Sequence, residues 1–350
     1  MNICFQGINL DAQSFLQLGM FKLKLIGRSS RRLKTWKEAT CIKKTSNRFF
    51  SDASDSAETD KPQSLPPDYV VPNIWRPPSN ETMGKFGAIN SDVAGPRYEK
   101  QLPKGKHDLQ LYSLGTPNGQ KVTIMLEELG VDYDAWKISI AKLEHFSTGF
   151  VELNPNSKIP ALYDYGVPED QLPVRIFESG SILLYLSEKF DWKFIPKDKH
   201  RKADCISWLM WQMGSAPVFG GGFGHFYVYS PMKIKYCIDR YTMEVKRLLD
   251  VLDRHLGSVN TSMSPKSYMC GDEYTIADMA IFPWVRVLET GYNAETFLQT
   301  KKYRYVEEWK LRIMERKPVK RGLRINTSIH VRSDAVPERH SRDDFNAEDY

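Results

Sequence analysis

Between residues 109 and 190 the apolar residues switch between strand and helix spacing, and turn residues mark each change. Residues 109–114 alternate, then stop at Gly115-Thr116-Pro117-Asn118-Gly119, a run of turn formers. Val122, Met125, Leu126 and Leu129 recur at helical spacing as far as Gly130, a residue suited to the left-handed conformation that ends helices. Trp136, Ile138 and Ile140 alternate as a second strand, and 146–153 fits a short helix before Asn154-Pro155. Residues 159–162 and 174–177 fit two more strands, and 178–190 fits a helix carrying Ile182, Leu183, Tyr185 and Leu186. The order β-α-β-α-β-β-α, with short connections, leaves few possible arrangements.

That order is the one found in a thioredoxin-like α/β domain, expected here over about residues 107–195. After Pro196 no strand pattern recurs; the helical candidates are 200–214, 231–256, 275–288 and 303–316. Thr275 and Asp278 have the spacing of a capping box at one helix start. The second domain, 198–322, is therefore expected to be all-α, and 323–350 reads as a polar tail.

The flanking sequence explains the charge. The net charge is +6, but residues 1–50 hold ten Lys/Arg against Asp11 and Glu38, so the rest of the chain is mildly acidic and offers little to a polyanion. That basic, acid-poor segment has the composition of a mitochondrial transit peptide, and Arg48-Phe49-Phe50-Ser51 resembles a processing site. A mitochondrial matrix location is expected if the leader is cleaved, and a cytoplasmic one otherwise. Met20 offers an alternative start. Residues 51–106 read as a linker followed by a Pro-rich arm. The arm carries eight prolines between 62 and 106 yet also Tyr69, Trp75, Phe86, Ile89 and Tyr98, which suit a segment lying on a folded body. No apolar run approaches the ~18 residues a membrane helix requires. The five cysteines include no CxxC and no zinc-ligand spacing, so neither a metal site nor a disulfide framework is expected.

Three clusters carry chemistry. Thr116-Pro117-Asn118-Gly119 opens the first helix of the α/β domain, where redox thioredoxins place a CxxC. A helix N-terminus with a hydroxyl and an amide can hold a thiolate brought from outside. The same residues could simply cap the helix. Asn156-Ser157-Lys158-Ile159-Pro160 precedes the third strand. A cis bond before Pro160 would turn the backbone of Ile159 toward a peptide ligand, and Lys158 suits a terminal carboxylate. An edge proline beside a solvated lysine is the plainer alternative. Glu178-Ser179-Gly180 opens the third helix. Ser179 and the free amides suit a carboxylate and Glu178 suits an ammonium, the two charges of a γ-glutamyl group. Glu-Ser is also a common cap.

These segments, together with the run at 220–227 (GGGFGHFY) and the 272–281 stretch (DEYTIADMAI), resemble the YghU-type, or nu-class, glutathione transferases over roughly residues 68–345. The resemblance implies a glutathione transferase fold and a homodimer. Glutathione would be the cosubstrate, with two molecules per site, one the nucleophile and one a partner, and no metal. It assigns Thr116 and Asn118 to the thiolate, and Ile159 with Pro160 to the cysteinyl backbone. It assigns Glu178, Ser179 and Gly180 to the γ-glutamyl group, and Asn90 in the arm to a further contact. The family often has Gln where His145 stands, and an imidazole replaces only one of the two amide hydrogen bonds.

The expected activity is glutathione-dependent disulfide reduction, with organic peroxide reduction as a second outlet. Conjugation of electrophiles is the alternative, and a non-catalytic interaction protein a remoter one. Small disulfides, peroxides or electrophiles are the expected partners; nucleic acid and membrane insertion are not. Tyr112 is either catalytic or core. His225 lies in a glycine run that lacks the features of a phosphate loop. Cys205, Cys237 and Cys270 read as buried thiols. Trp211, the 214–217 segment and Phe219 are candidates for the apolar wall of the pocket.

Overall fold

A four-stranded mixed sheet, ordered β2-β1-β3-β4, lies at the centre of the first domain. β1 (Leu109–Ser113) runs parallel to β2 (Asp134–Lys137) and antiparallel to β3 (Ala161–Asp164), which pairs antiparallel with β4 (Val174–Phe177). The computed structural model describes residues 70–78, 87–89, 92–259, 265–327 and 331–350, of which Pro72 onward belong to one compact unit. The proposed leader and Asn90 lie outside the described residues.

The register assigns the two faces of the sheet. Leu111, Leu162 and Ile176 are cross-strand partners in the core shared with α1 (Pro117–Leu129) and α3 (Ser179–Lys189). One residue on, Tyr112 and Ala161 pair and face Phe150 and Leu153 of α2 (Thr148–Leu153) on the opposite side. Tyr112 is therefore a core residue: it is buried, and its hydroxyl donates to Pro103 O at 2.5 Å. Burial raises its pKa, the reverse of what a catalytic phenol needs.

Two elements are shorter than their spacing predicts. β2 ends at Lys137, opposite Ser113, because β1 supplies no ladder beyond that point. Ile140 instead opens a 3₁₀ turn capped by Ser139, whose Oγ accepts from Lys142 N. α2 begins at Thr148 because Ser147 caps it, accepting from Phe150 N.

The second domain is helical: α4 (Lys199–Pro217), a wide π-helical segment (Val218–Tyr229), α5 (Lys235–Gly257), α6 (Ile276–Thr290), α7 (Glu295–Leu298), α8 (Arg304–Met314) and α9 (Lys317–Gly322). The Thr275–Asp278 capping box forms, and the buried Asp278 also accepts from Met269 N and Trp309 Nε1. The glycine run serves close packing. A Cβ at Gly220 would stand 2.6 Å from the Trp284 ring, one at Gly222 would strike Tyr241, and one at Gly224 would reach Tyr292 at 2.5 Å.

The tail is irregular but built into the first domain. Ile325, Val336 and Phe345 are buried, and Arg339 is 2 % exposed. Arg339 donates to Tyr133 O at 2.7 Å and lies 3.9 Å over the Tyr133 ring. Tyr133 OH and Arg321 both donate to Glu127 of α1. A polar tail segment thus becomes interior because the Arg339 guanidinium pairs with the buried Glu127 carboxylate at 3.5 Å and donates to one carbonyl. The arm is likewise docked: Arg97 N donates to Phe146 O, Thr148 N to Tyr98 O and Gly149 N to Lys100 O.

Candidate functional site

A cavity of about 340 Å³ opens where the N-terminus of α1, the loop before β3 and the N-terminus of α3 converge. Its lining includes Thr116, Pro117, Asn118, His145, Lys158, Ile159, Pro160, Glu178 and Ser179. The three sequence clusters, dispersed over more than sixty residues, therefore meet at one place.

Thr116 caps α1: its Oγ1 accepts from Gly119 N at 3.3 Å. Capping uses a lone pair and leaves the hydroxyl proton available, so a cap and a thiolate donor are compatible in one residue. Asn118 is oriented from the other domain. Trp284 Nε1, on α6, donates to Asn118 Oδ1 at 2.9 Å. With its oxygen so engaged, Asn118, which lines the cavity, keeps its amide N–H groups as free donors. The first turn of α1 holds no acidic residue to oppose an anion. The peptide bond between Ile159 and Pro160 is cis, and Ile159 lies on the cavity just before the β3 ladder begins at Ala161. Asn154 Nδ2 donates to Lys158 O at 2.6 Å and holds this loop in shape.

Glu178 has φ +70°, a backbone conformation that favours glycine, and its side chain makes no cap hydrogen bond. A non-glycine residue held there costs on the order of 1–3 kcal/mol, and that cost fixes an exposed carboxylate at the cavity rim. His145 is 2 % exposed, with both ring nitrogens buried and without a hydrogen-bond partner. Burial lowers its pKa to about 4, helped by the charges of Lys158 and Arg97. At neutral pH it is an uncharged imidazole offering one donor and one acceptor to whatever enters. Unsatisfied buried nitrogens are costly without a ligand.

Several readings are corrected by placement. Gly180 does not line the cavity; a Cβ there would stand 2.8 Å from Met213 Sδ, so it serves the approach of α4 to α3. Trp211, Phe219 and the 214–217 segment do not line it either. The helical domain contributes Trp284 instead, with Phe219 stacked behind it at 6.3 Å between ring centroids. His225 sits in the π-helical segment, away from the cavity lining. Cys205 and Cys270 are buried, while Cys237 is only partly so.

Lys121 is a residue the sequence did not single out. It is fully buried on α1, its Nζ is 3.4 Å from Ser179 Oγ, and the nearby Glu178 carboxylate favours its charge. Burial dominates and lowers its pKa from 10.5 to about 7. Its helical position reads as an ordinary surface lysine, so only the packing of α3 against α1 reveals it. Between pH 7 and 10.5 the unfolded chain binds the extra proton, so stability rises with pH across that window, by on the order of 4 kcal/mol from this group. Lys121→Met is expected to raise stability at pH 7 and to flatten the rise toward pH 9.5. Urea unfolding of both proteins at the two pH values checks this, and parallel pH dependences would contradict it.

A thioredoxin-type sheet, a helical second domain and a cavity built on a cysteine-free helix N-terminus define the class of the glutathione transferases. Models of the glutathione S-transferase N-terminal and C-terminal domains match residues 116–189 and 235–309. The chain is 52% identical over 276 residues to the disulfide-bond oxidoreductase YghU of Escherichia coli (strain K12), covering 76% of this chain and 92% of that protein. A solved structure of glutathione transferase YghU from Streptococcus pneumoniae, complexed with glutathione, is 46% identical with a TM-score of 0.67, covering 73% of this chain and 97% of that one. A glutathione transferase family member from Pseudomonas fluorescens, with two glutathione bound, is 40% identical with a TM-score of 0.57 over 61% and 92% of the two chains. The chain belongs to the glutathione transferase family.

Proposed function

We propose that the protein reduces disulfides with glutathione, whose thiolate is held at the N-terminus of α1. The observation that carries this is the Trp284–Asn118 hydrogen bond, which engages the Asn118 oxygen and leaves its amide N–H groups as donors beside Thr116 in a cavity lining that contains no cysteine. A free thiol of pKa ~8.5 is only a few per cent ionised at neutral pH. Two donors and a helix N-terminus can lower it by one to two units, making the thiolate a major species. Glutathione lies with its γ-glutamyl group at Glu178 and Ser179 and its cysteinyl backbone along Ile159. The bound thiolate attacks one sulfur of a disulfide and expels the other as a thiolate. A second glutathione then attacks the mixed disulfide, so two glutathiones become glutathione disulfide as the substrate becomes two thiols. The Pseudomonas fluorescens relative with two glutathione bound supports a site of that capacity.

One assay panel tests the reading: a small disulfide, a chloro-nitrobenzene and an organic peroxide, each with glutathione. Turnover of the disulfide well above the other two is expected. Faster conjugation of the chloro-nitrobenzene would make the protein a conjugating transferase, and preference for the peroxide would make it a peroxidase. We also propose a homodimer. Tyr236 and Met243, seven apart on α5, are exposed apolar side chains that support one. Light scattering in solution reads the mass.

The basic segment at 1–50 supports import into the mitochondrial matrix with cleavage near Phe50. N-terminal sequencing of the protein from its own cells is expected to find a start near Ser51. A cytosolic chain still carrying Arg31-Arg32 would defeat the proposal.

A further inference from the structure

The C-terminal tail reaches the turn that carries Thr116. β1 ends at Ser113, and the backbone then leaves the sheet. Gly115 N donates to Asn326 O, in the tail, at 2.9 Å. On the other side of the same residue, Gly115 O accepts from Gln120 Nε2 at 3.4 Å. The approach is close: a Cβ at Gly115 would strike Thr327 Oγ1 and stand 3.3 Å from Asn326 O. Thr116 follows at once, and α1 begins at Pro117.

Asn326 is built around that contact. It is fully buried and has φ +55°. The left-handed turn sends its N–H to Val336 O at 2.8 Å and its carbonyl to Gly115. Its side-chain Nδ2 donates to Ala135 O and Pro337 O, each at 3.1 Å. Ala135 lies on β2, paired with Leu111 of β1. One residue therefore joins β2, the returning tail and the turn between β1 and α1. With Nδ2 committed to two carbonyls, Oδ1 is left buried without a hydrogen-bond partner. An orphaned buried oxygen is costly, and a positive φ is uncommon even for asparagine, which tolerates it best among non-glycine residues. Stability alone gives no reason to keep both features in one residue. What they secure is a carbonyl placed on Gly115 N.

We propose that Asn326 is a positioning residue for disulfide reduction: it holds the Gly115–Asn118 turn so that the Thr116 hydroxyl and the Asn118 amide meet the glutathione sulfur. The inference rests on the glutathione chemistry proposed above. Asn326 does not line the cavity and acts only through Gly115. Position matters there because hydrogen bonds weaken steeply with misalignment. A misplacement of about 1 Å can cost on the order of a hundred-fold in rate. Trp284 fixes the Asn118 end of the turn, and the Asn326 carbonyl fixes the Gly115 end.

The test follows the ultraviolet absorbance of enzyme-bound glutathione thiolate against pH in the full chain, beside steady-state rates and calorimetric titration. Asn326→Gly keeps the positive φ and removes only the side-chain donors. Its bound thiol is expected to ionise at higher pH than in the wild type. The thiolate fraction and kcat at neutral pH should then fall together, roughly three- to ten-fold. Glutathione affinity, measured at a pH where the thiol is protonated, should not change, because Glu178, Ser179 and Ile159 lie on other elements. Gly115→Ala, which drives Thr327 away, should move the titration the same way, and adding Thr327→Gly should restore it. Asp349→Ala removes the Arg324–Asp349 ion pair at the far end of the tail. It should lower the melting temperature and leave the titration in place. A wild-type titration in folded Asn326→Gly overturns the proposal. So does a shift in Asp349→Ala as large as that in Asn326→Gly, which would reduce the effect to general loosening. If Asn326→Gly does not fold, Gly115→Ala and its double variant decide: no shift, or no restoration, overturns the proposal. A wild-type complex whose thiol ionises no more readily than free glutathione defeats the reductase reading and this inference together, so the two failures are distinguishable.

Discussion

The double variant Thr116→Val/Asn118→Ala is expected to lose at least a hundred-fold in disulfide reductase rate, while a variant with Cys205, Cys237 and Cys270 all changed to Ser keeps most of its activity. The bound thiolate keeps only the helix amides once both side-chain donors are gone. Each hydrogen bond to a charged sulfur contributes roughly 1.5–3 kcal/mol, which is about ten- to a hundred-fold in rate per donor if the thiolate attacks. Thr116 also caps α1 through Gly119 N, so about 1 kcal/mol of stability goes with it. Rates are therefore compared on variants whose unfolding transitions show them folded. Trp284→Phe refines the test. It keeps an aromatic ring in place but removes the Nε1–H that fixes Asn118, so the rate should fall by several-fold, less than for removal of Asn118 itself. A dead cysteine-free protein beside a fully active Thr116/Asn118 variant would transfer the chemistry to a protein thiol.

Glu178→Ala is expected to weaken glutathione binding by roughly 1.5–3 kcal/mol, the scale of a hydrogen bond to a charged group. Folding stability should hardly change, because the Glu178 side chain caps nothing. Glu178→Gly should lose the same affinity yet gain stability on the order of 1 kcal/mol, since glycine accepts the positive φ at little cost. Calorimetric titration and thermal unfolding of the two variants read both halves. The opposed signs separate a binding residue from a structural one: an unchanged dissociation constant in both variants would remove Glu178 from the γ-glutamyl site.

Much of the site was legible because its chemistry is local. Thr116 and Asn118 are read from one turn, Ile159-Pro160 from one loop and Glu178-Ser179 from one helix start. In each case a backbone requirement, a cap or a turn, leaves its mark on adjacent residues. Lys121, Trp284 and the two unpartnered ring nitrogens of His145 were not legible. Each depends on a neighbour far along the chain: Ser179 for Lys121, Asn118 for Trp284, and for His145 the lack of any partner. The misplaced apolar wall has the same cause. Aromatic residues at helical spacing on α4 look equally suited to core or cavity, and only the packing of α6 against α1 chooses Trp284.

The sequence by itself determined the order of strands and helices in the α/β domain, the position of the cysteine-free turn and the capping of α1 and α6, because periodicity, turn residues and caps act within a few residues. Tertiary structure alone decided which side of the sheet Tyr112 faces, which way the Asn118 amide points, and that Lys121 is buried beneath Ser179. It also drew the tail's Arg339 into the interior against Glu127 and Tyr133. The physical reason is the same throughout. Desolvation and hydrogen-bond partnership are set by what lies across a packed interface, and no spacing along the chain encodes them one residue at a time.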